Sequence, residues 1–316
     1  MYPQWITLRV GCPASVIPHK LRRESLPVIT DVIPLPRVTM VEESSQGEDR
    51  MPFPETPRVV FQNNPLEEVV CQLRFPEILQ ISTMDPAGFQ NRIRERYPLY
   101  ARQEEAGFPE GLPKIVADIF AHIPLPKPGE GMVYKFLTED SKRFISLSRG
   151  FLAITERNYK RWESFSEEVA RAMDALEEEY HPAFYSRIGL RYVDVISRMK
   201  LGLEGEPWDS LVNPAVAGIL ADEVFRPRVR ETRSEVLLEL DESETRKGFA
   251  KLRHGLVNPE DGDEAYLFDV DFFTVGRSAG TDVARILARF NRLAGNLFRW
   301  AITPKLAKAL GPVEID

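Results

Sequence analysis

Residues 151–196, FLAITERNYKRWESFSEEVARAMDALEEEYHPAFYSRIGLRYVDVI, read as strand, helix, strand. Phe151 to Thr155 is a short apolar run of strand length. Trp162, Phe165, Val169, Met173, Leu176 and Tyr180 then recur at steps of three and four, so they share one face of a helix whose other face is Glu and Arg. His181-Pro182 ends it, since a proline restricts the residue before it and cannot continue the ladder. Phe184 to Ile196 follows as a long strand. Two strands joined by one amphipathic helix are the unit from which split βαβ folds are built.

Upstream, Arg149-Gly150 is a turn signal joining this unit to strands over Arg143 to Ser148 and Met132 to Leu137. Tyr100 to Gly131 is rich in proline and glycine, with a short helix expected over Lys114 to His122. Asp85-Pro86 reads as a cap residue followed by proline at the first helical position, opening a helix with Phe89, Ile93 and Tyr97 on one face and Pro98 as its stop. Leu66 to Phe75 alternates, with Val69, Cys71, Leu73 and Phe75 on one side. The order β-α-β-β-(β)-α-β predicts an α+β protein with a ferredoxin-like half over residues 54–200.

Residues 201–316 read as a second, β-rich half. A loop through Gly202, Gly205 and Pro207 leads to a short helix over Ala215 to Asp222, then strands over Glu235 to Leu240, Lys247 to Val257 and Ala265 to Thr274. Gly280-Thr281-Asp282 caps a last long helix carrying Val283, Ile286, Leu287, Phe290, Leu293, Leu297 and Trp300, and Thr303 caps a short terminal helix. The two halves are expected to form one body. Residues 1–53 differ from both. Scattered prolines and a Ser/Glu/Gly/Asp cluster without periodicity predict a disordered or mis-annotated extension, with Met40 or Met51 as the expected true start.

With 316 residues, 43% hydrophobic, the chain has material for a large core. A net charge of -7 excludes a strongly basic nucleic-acid binder. Its two cysteines, Cys12 and Cys71, support neither a disulfide framework nor a thiolate metal site, and with no apolar span or secretory signal the expected compartment is the cytoplasm.

Four segments together resemble a family of uncharacterised, sporadically distributed bacterial proteins: NPLEEVVCQLRFP at 64–76, YKRWESF at 159–165, RIGLRYVD at 187–194 and LFRWAITP at 297–304. The resemblance covers roughly Pro54 to Gly311 and implies a shared fold without an assigned activity. Members of that family often carry a His-Asp or His-Glu pair late in the last long helix. The corresponding stretch here is Arg289-Phe290-Asn291-Arg292-Leu293, without histidine, so the resemblance implies no histidine chemistry at that place.

Chemistry-bearing residues are few. His19, His122, His181 and His254 form no close pair and no metal-ligand spacing. His181 is expected to end a helix, and His254 to be a satisfied, partly buried residue facing with Leu252 and Leu256. Asp269 and Asp271, two apart on one strand, share a face and could hold a divalent ion such as Mg²⁺ for work on nucleotides, with Asp194 as a third carboxylate. Read without chemistry, they are the polar side of a half-exposed strand. Arg187 and Arg191 on one strand, with Arg228 and Arg230 further on, offer nucleic-acid or anion contact near Tyr185 and Tyr192, or else salt-bridged surface. Gly276 to Thr281 lacks the phosphate-loop lysine and the dinucleotide fingerprint. The leading expectation is a non-catalytic protein-interaction or self-associating module without a cofactor. The alternatives are the metal-dependent enzyme and the nucleic-acid contact.

Overall fold

The computed structural model describes residues 53–104, 132–240, 247–257 and 264–315. The extension expected at 1–53, apart from Phe53, and the helix expected at 114–122 lie outside these residues. The described chain runs β1 (Val59–Phe61), β2 (Leu66–Arg74), α1 (Leu79–Thr83), α2 (Ala87–Ile93), β3 (Leu99–Glu104), β4 (Met132–Leu137), β5 (Arg143–Ser148) and β6 (Phe151–Glu156). Then come α3 (Trp162–Tyr180), β7 (Arg187–Ser197), α4 (Pro214–Ala217), β8 (Ser234–Leu240), β9 (Lys247–Val257) and β10 (Ala265–Val275). The chain closes with α5 (Val283–Ala301), α6 (Pro304–Leu310) and β11 (Pro312–Glu314).

Nine strands form one sheet in the order β3-β4-β5-β6-β2-β7-β10-β9-β8, and every neighbouring pair is antiparallel. β2 lies between β6 and β7, so α3 carries the chain across one intervening strand. β10 pairs with β7, and one sheet therefore runs through both halves of the sequence.

Because cross-strand partners share a face, the register draws a continuous apolar row through Phe136, Ile145, Ile154, Cys71, Leu190, Phe272, Ala250 and Leu238. α3 and α5 cover this face. Phe165, Val169, Ala172 and Leu176 of α3 and Ile286, Phe290, Leu293 and Leu297 of α5 are buried in the same core cluster. Burying each large side chain contributes about 1.5–3 kcal/mol. The opposite face alternates charge with small apolar residues, as in the row Thr155, Val70, Arg191, Asp271, Lys251 and Leu237.

Thr303 accepts from the Leu306 amide to start α6, and Gly311 ends it in the left-handed region at φ 68°. That reversal lets β11 pair with β1, Val60 opposite Val313, as a ribbon separate from the main sheet. The ribbon segment is tied to α5 by Thr56, whose amide and hydroxyl both donate to Asn296 Oδ1, and by Phe61 set edge-on to Phe298.

Some boundaries differ from the sequence reading. The helix after Asp85-Pro86 ends at Ile93, short of Tyr97, and its cap position is Pro86 with no side-chain cap. Asp85 instead faces Arg102 at 3.7 Å. Strand β7 begins at Arg187, since Tyr185 is engaged in an isolated bridge with Ser278. Gly280–Asp282 is a 3-10 turn, and the Asp282 carboxylate accepts from Arg285 without capping α5. The helix expected over 215–222 is α4 followed by 3-10 geometry, because Gly218 takes φ 53°. Helix α1 and strand β3 were not legible, being short and next to proline-rich sequence. Among the described residues no helix is long and apolar enough to cross a membrane.

Candidate functional site

Where β2 enters the sheet, Leu66 opposes Asp194 while Glu68 opposes the preceding residue, Val193. One extra residue on β2 against β7 is a bulge, a device that re-aims side chains. It lies beside Asp194, whose other cross-strand neighbour is Phe268. Asp194 thus stands on the helix-covered face among apolar groups.

Above it is a cavity of about 490 Å³. Leu66, Tyr192, Asp194 and Val270 form its sheet side. The Tyr159–Trp162 segment at the start of α3 forms one wall, and the α5 side from Asn291 to Arg299 forms another. The ribbon segment from Glu55 to Phe61, with Ile315, closes over it.

Asp194 is 7% exposed, and among the described residues its carboxyl has no hydrogen-bond or ion-pair partner. Burial, reinforced by the negative charges of Asp269 and Glu67, pushes this carboxyl up to about 8. At neutral pH it is therefore mostly protonated. Beside it, Tyr192 donates to Asn291 Oδ1 at 2.8 Å and shares a hydrogen bond with Tyr159, whose ring stands edge-on at 6.0 Å. Burial pushes Tyr159 up to about 12 and Tyr192 well above its ordinary value, so both phenols stay neutral.

Two of the arginines at the cavity are already engaged. Arg58 and Arg161 both donate to Glu163, and this hydrogen bonding, led by Arg58, holds that carboxyl down at about 2. Arg299 differs. Its Nη1 is buried and, among the described residues, has no acceptor. Arg292, on the same side of α5, is exposed. Gly295 lies between them in the middle of the helix, and a Cβ there would meet nothing within 4 Å. A mid-helix glycine costs about 1 kcal/mol relative to alanine. Here it leaves open space against the cavity.

The carboxylate triad expected from the sequence is not assembled. Asp269 and Asp271 do share a face, but Asp194 pairs in register with Phe268 and so projects from the other side of the sheet. The two aspartates are filled by arginine. Arg191 holds Asp269 with two bonds of 2.6 and 2.8 Å, and Arg253 adds a third at 3.2 Å. Arg187 grips both oxygens of Asp271 at 2.9 and 2.8 Å. Burial lowers the Arg191 guanidinium, but the Asp269 carboxylate outweighs it and the net shift is upward. Among the described residues no group of three or more His, Cys, Asp or Glu is placed to hold a metal ion.

The arginines do not form one patch. Arg187 and Arg191 are bound within the sheet face by these aspartates, and the Arg187 guanidinium also stacks 4.8 Å over Phe273. Arg228 and Arg230 lie in the segment before β8, where their side chains donate to the carbonyls of Val224, Pro227 and Val229. Tyr185 is buried and donates to Glu177. His181 is the left-handed C-cap of α3, at φ 48°. His254 Nδ1 lies 2.9 Å from the Tyr266 hydroxyl, which itself donates to Val216 O, so the histidine carries the proton on Nδ1. Burial lowers its pKa, which keeps it neutral.

Sequence reasoning singled out Asp194 for the wrong partners and noted 289–293 only for a missing histidine. The pairing of Tyr159 with Tyr192 and the roles of Asn296 and Gly295 went unread. The signals present were a glycine within a strongly amphipathic helix and the Tyr192-x-Asp194 spacing, which puts both side chains on one face. No protein-family model matches the chain, and no curated protein is significantly similar to it.

Proposed function

We propose that this chain is a small-ligand-binding protein and that the cavity above Asp194 is its binding site. The observation that carries this reading is the Asp194 carboxyl itself: buried, without a partner among the described residues, and lining a cavity of about 490 Å³. A buried polar group normally finds a partner within the protein, because leaving it unpaired costs roughly 1–3 kcal/mol. Binding sites keep such groups for the ligand, within mostly apolar cavities of this size. All four segments that carry the family resemblance contribute lining residues, among them Asn64, Tyr159, Asp194 and Phe298. We accordingly retain membership of that family as a proposal.

The test is a thermal-shift screen of small metabolites against wild type and Gly295→Trp, an indole placed in the open space beside α5. Compounds that fill the cavity raise the wild-type melting temperature by several degrees when well above their Kd. They leave the plugged variant unmoved. If no compound shifts wild type, or every hit shifts both proteins equally, the cavity is not the site.

A second reading, self-association, is favoured by the edge strand β8. Val236 and Leu237 are exposed there, and the strand has neither proline nor lysine to discourage pairing. The order β7-β2-β6-β5 also supports the ferredoxin-like reading of the first half, with β3 and β4 as an extension. A reducing cytoplasm fits Cys71, a fully buried free thiol.

A further inference from the structure

Two residues that line the cavity carry polar groups of different chemistry without partners among the described residues, and their combination narrows what fits it. At its sheet side is the Asp194 carboxyl. On α5, Arg299 also lines the cavity, and its Nη1 is buried with no acceptor among the described residues. Arg292 lies on the same side of the helix, two turns earlier, open to solvent. Lys160 adds a further cation to the lining and Glu55 an anion, while Arg58 and Arg161 share the single carboxylate of Glu163. The α5 side is therefore cationic. The walls between the poles are aromatic: Phe61 against Phe298, Trp162 beside Phe165, and Tyr159 edge-on to Tyr192.

We infer that the ligand is a flat-ringed organic anion, its anionic group taken by Arg299 and Arg292 and a hydrogen-bond acceptor on its ring or far end taken by the Asp194 carboxyl. This rests on the cavity being a ligand site. A guanidinium binds carboxylate or phosphate oxygens through charge-assisted bonds, which is what an unpaired buried N–H lacks. Burial and the negative charges of Asp269 and Glu67 act on Asp194, and among the described residues no cation is paired with it, so its environment favours the proton that it would donate. A cationic ligand would satisfy Asp194 alone and would leave Arg299 unpaired beside a second positive charge. Nucleoside monophosphates and aromatic carboxylates share the required chemistry.

Titration calorimetry on the full chain separates the alternatives. The probes are AMP and GMP, indole-3-carboxylate, uncharged adenosine, and the cation tryptamine, each against wild type, Arg299→Met, Arg292→Ala, Asp194→Asn and Gly295→Trp. At least one of the two anion classes is expected to bind tenfold or more tightly than adenosine and tryptamine. Which class it is identifies the source of the anion. Arg299→Met should lose at least tenfold for anions only, and anion affinity should fall between pH 6.5 and 9 in wild type but not in Asp194→Asn. Arg292→Ala, at an exposed position, supports the same conclusion if Arg299→Met does not fold. Tighter binding of tryptamine, or anion binding unmoved by both arginine variants, overturns the inference yet leaves the cavity as a site if Gly295→Trp abolishes it. Binding that Gly295→Trp leaves intact, or no binding of any probe, overturns the inference. Survival in the plugged variant also removes the reading on which the inference rests.

Discussion

Asp194 and Asp269 stand one strand apart on opposite faces of the sheet, and they show two ways of burying a carboxylate. Asp269 is completely buried but receives bonds from Arg191 and Arg253. Asp269→Ala would take the two-bond carboxylate partner from the buried Arg191, while Arg253 would keep Glu235. Loss of one partner of a buried ion pair costs about 3–5 kcal/mol, so urea denaturation should show a fall of that order, with a smaller fall for Asp269→Asn. Asp194 has burial without compensation. Its folded carboxyl titrates near 8, against an ordinary 3.8 in the unfolded chain. Between those values the folded state holds a proton that the unfolded state has released, so stability falls as pH rises through that window and levels off above it. Asp194→Asn should remove this slope and be the more stable protein at pH 8–9, by on the order of a few kcal/mol. Equal pH slopes in the two proteins would mean that Asp194 is already ionised in the fold.

At the level of elements, α5 combines a wide apolar face with a glycine that its packing does not need. Gly295 has helical backbone and no neighbour within 4 Å of an added Cβ. Gly295→Ala should therefore raise stability by about 0.5–1 kcal/mol in thermal or chemical denaturation, through helix propensity. A loss would show that the open space is closed in solution. Helix α6 depends on Thr303, whose hydroxyl accepts from the Leu306 amide and donates to Ser210 O at 2.8 Å. Thr303→Ala should cost about 1 kcal/mol, and Thr303→Ser should restore most of it.

At the scale of the whole fold, the described residues are organised by one nine-stranded antiparallel sheet, with β3 and β8 as its edges among those residues. On β8, Leu237 is 55% exposed and Val236 is 39% exposed. An apolar edge without proline or lysine is a surface on which a second chain can pair. If β8 mediates self-association, sedimentation of wild type at tens of micromolar should give a dimer, and Leu237→Lys should give a monomer. A wild-type monomer at that concentration would remove the self-association reading. The cavity also draws on distant parts of the sequence, since residues from 55 to 315 meet around it.

The amino-acid sequence determined the elements whose signal is local. The periodicity of residues 162–180 and 283–301 made helices because apolar side chains at steps of three and four fall on one face. The alternation at 66–74 and 265–275 made strands for the corresponding reason, and Thr303-Pro304 carried its own helix start. The sequence also located Cys71 and His254 correctly, because a residue within an alternating run inherits that run's face. What it did not determine was which faces meet. The spacing of Asp269 and Asp271 put them together, but only the register of β10 against β7 delivered Arg191 and Arg187 to them and sent Asp194 through to the other side. Tyr159, Asp194 and Asn296 have no periodicity in common. They converge because β2 inserts between β6 and β7 and because Gly311 turns the chain back so that β11 pairs with β1. Those are decisions of strand pairing over long separations, and no local pattern encodes them.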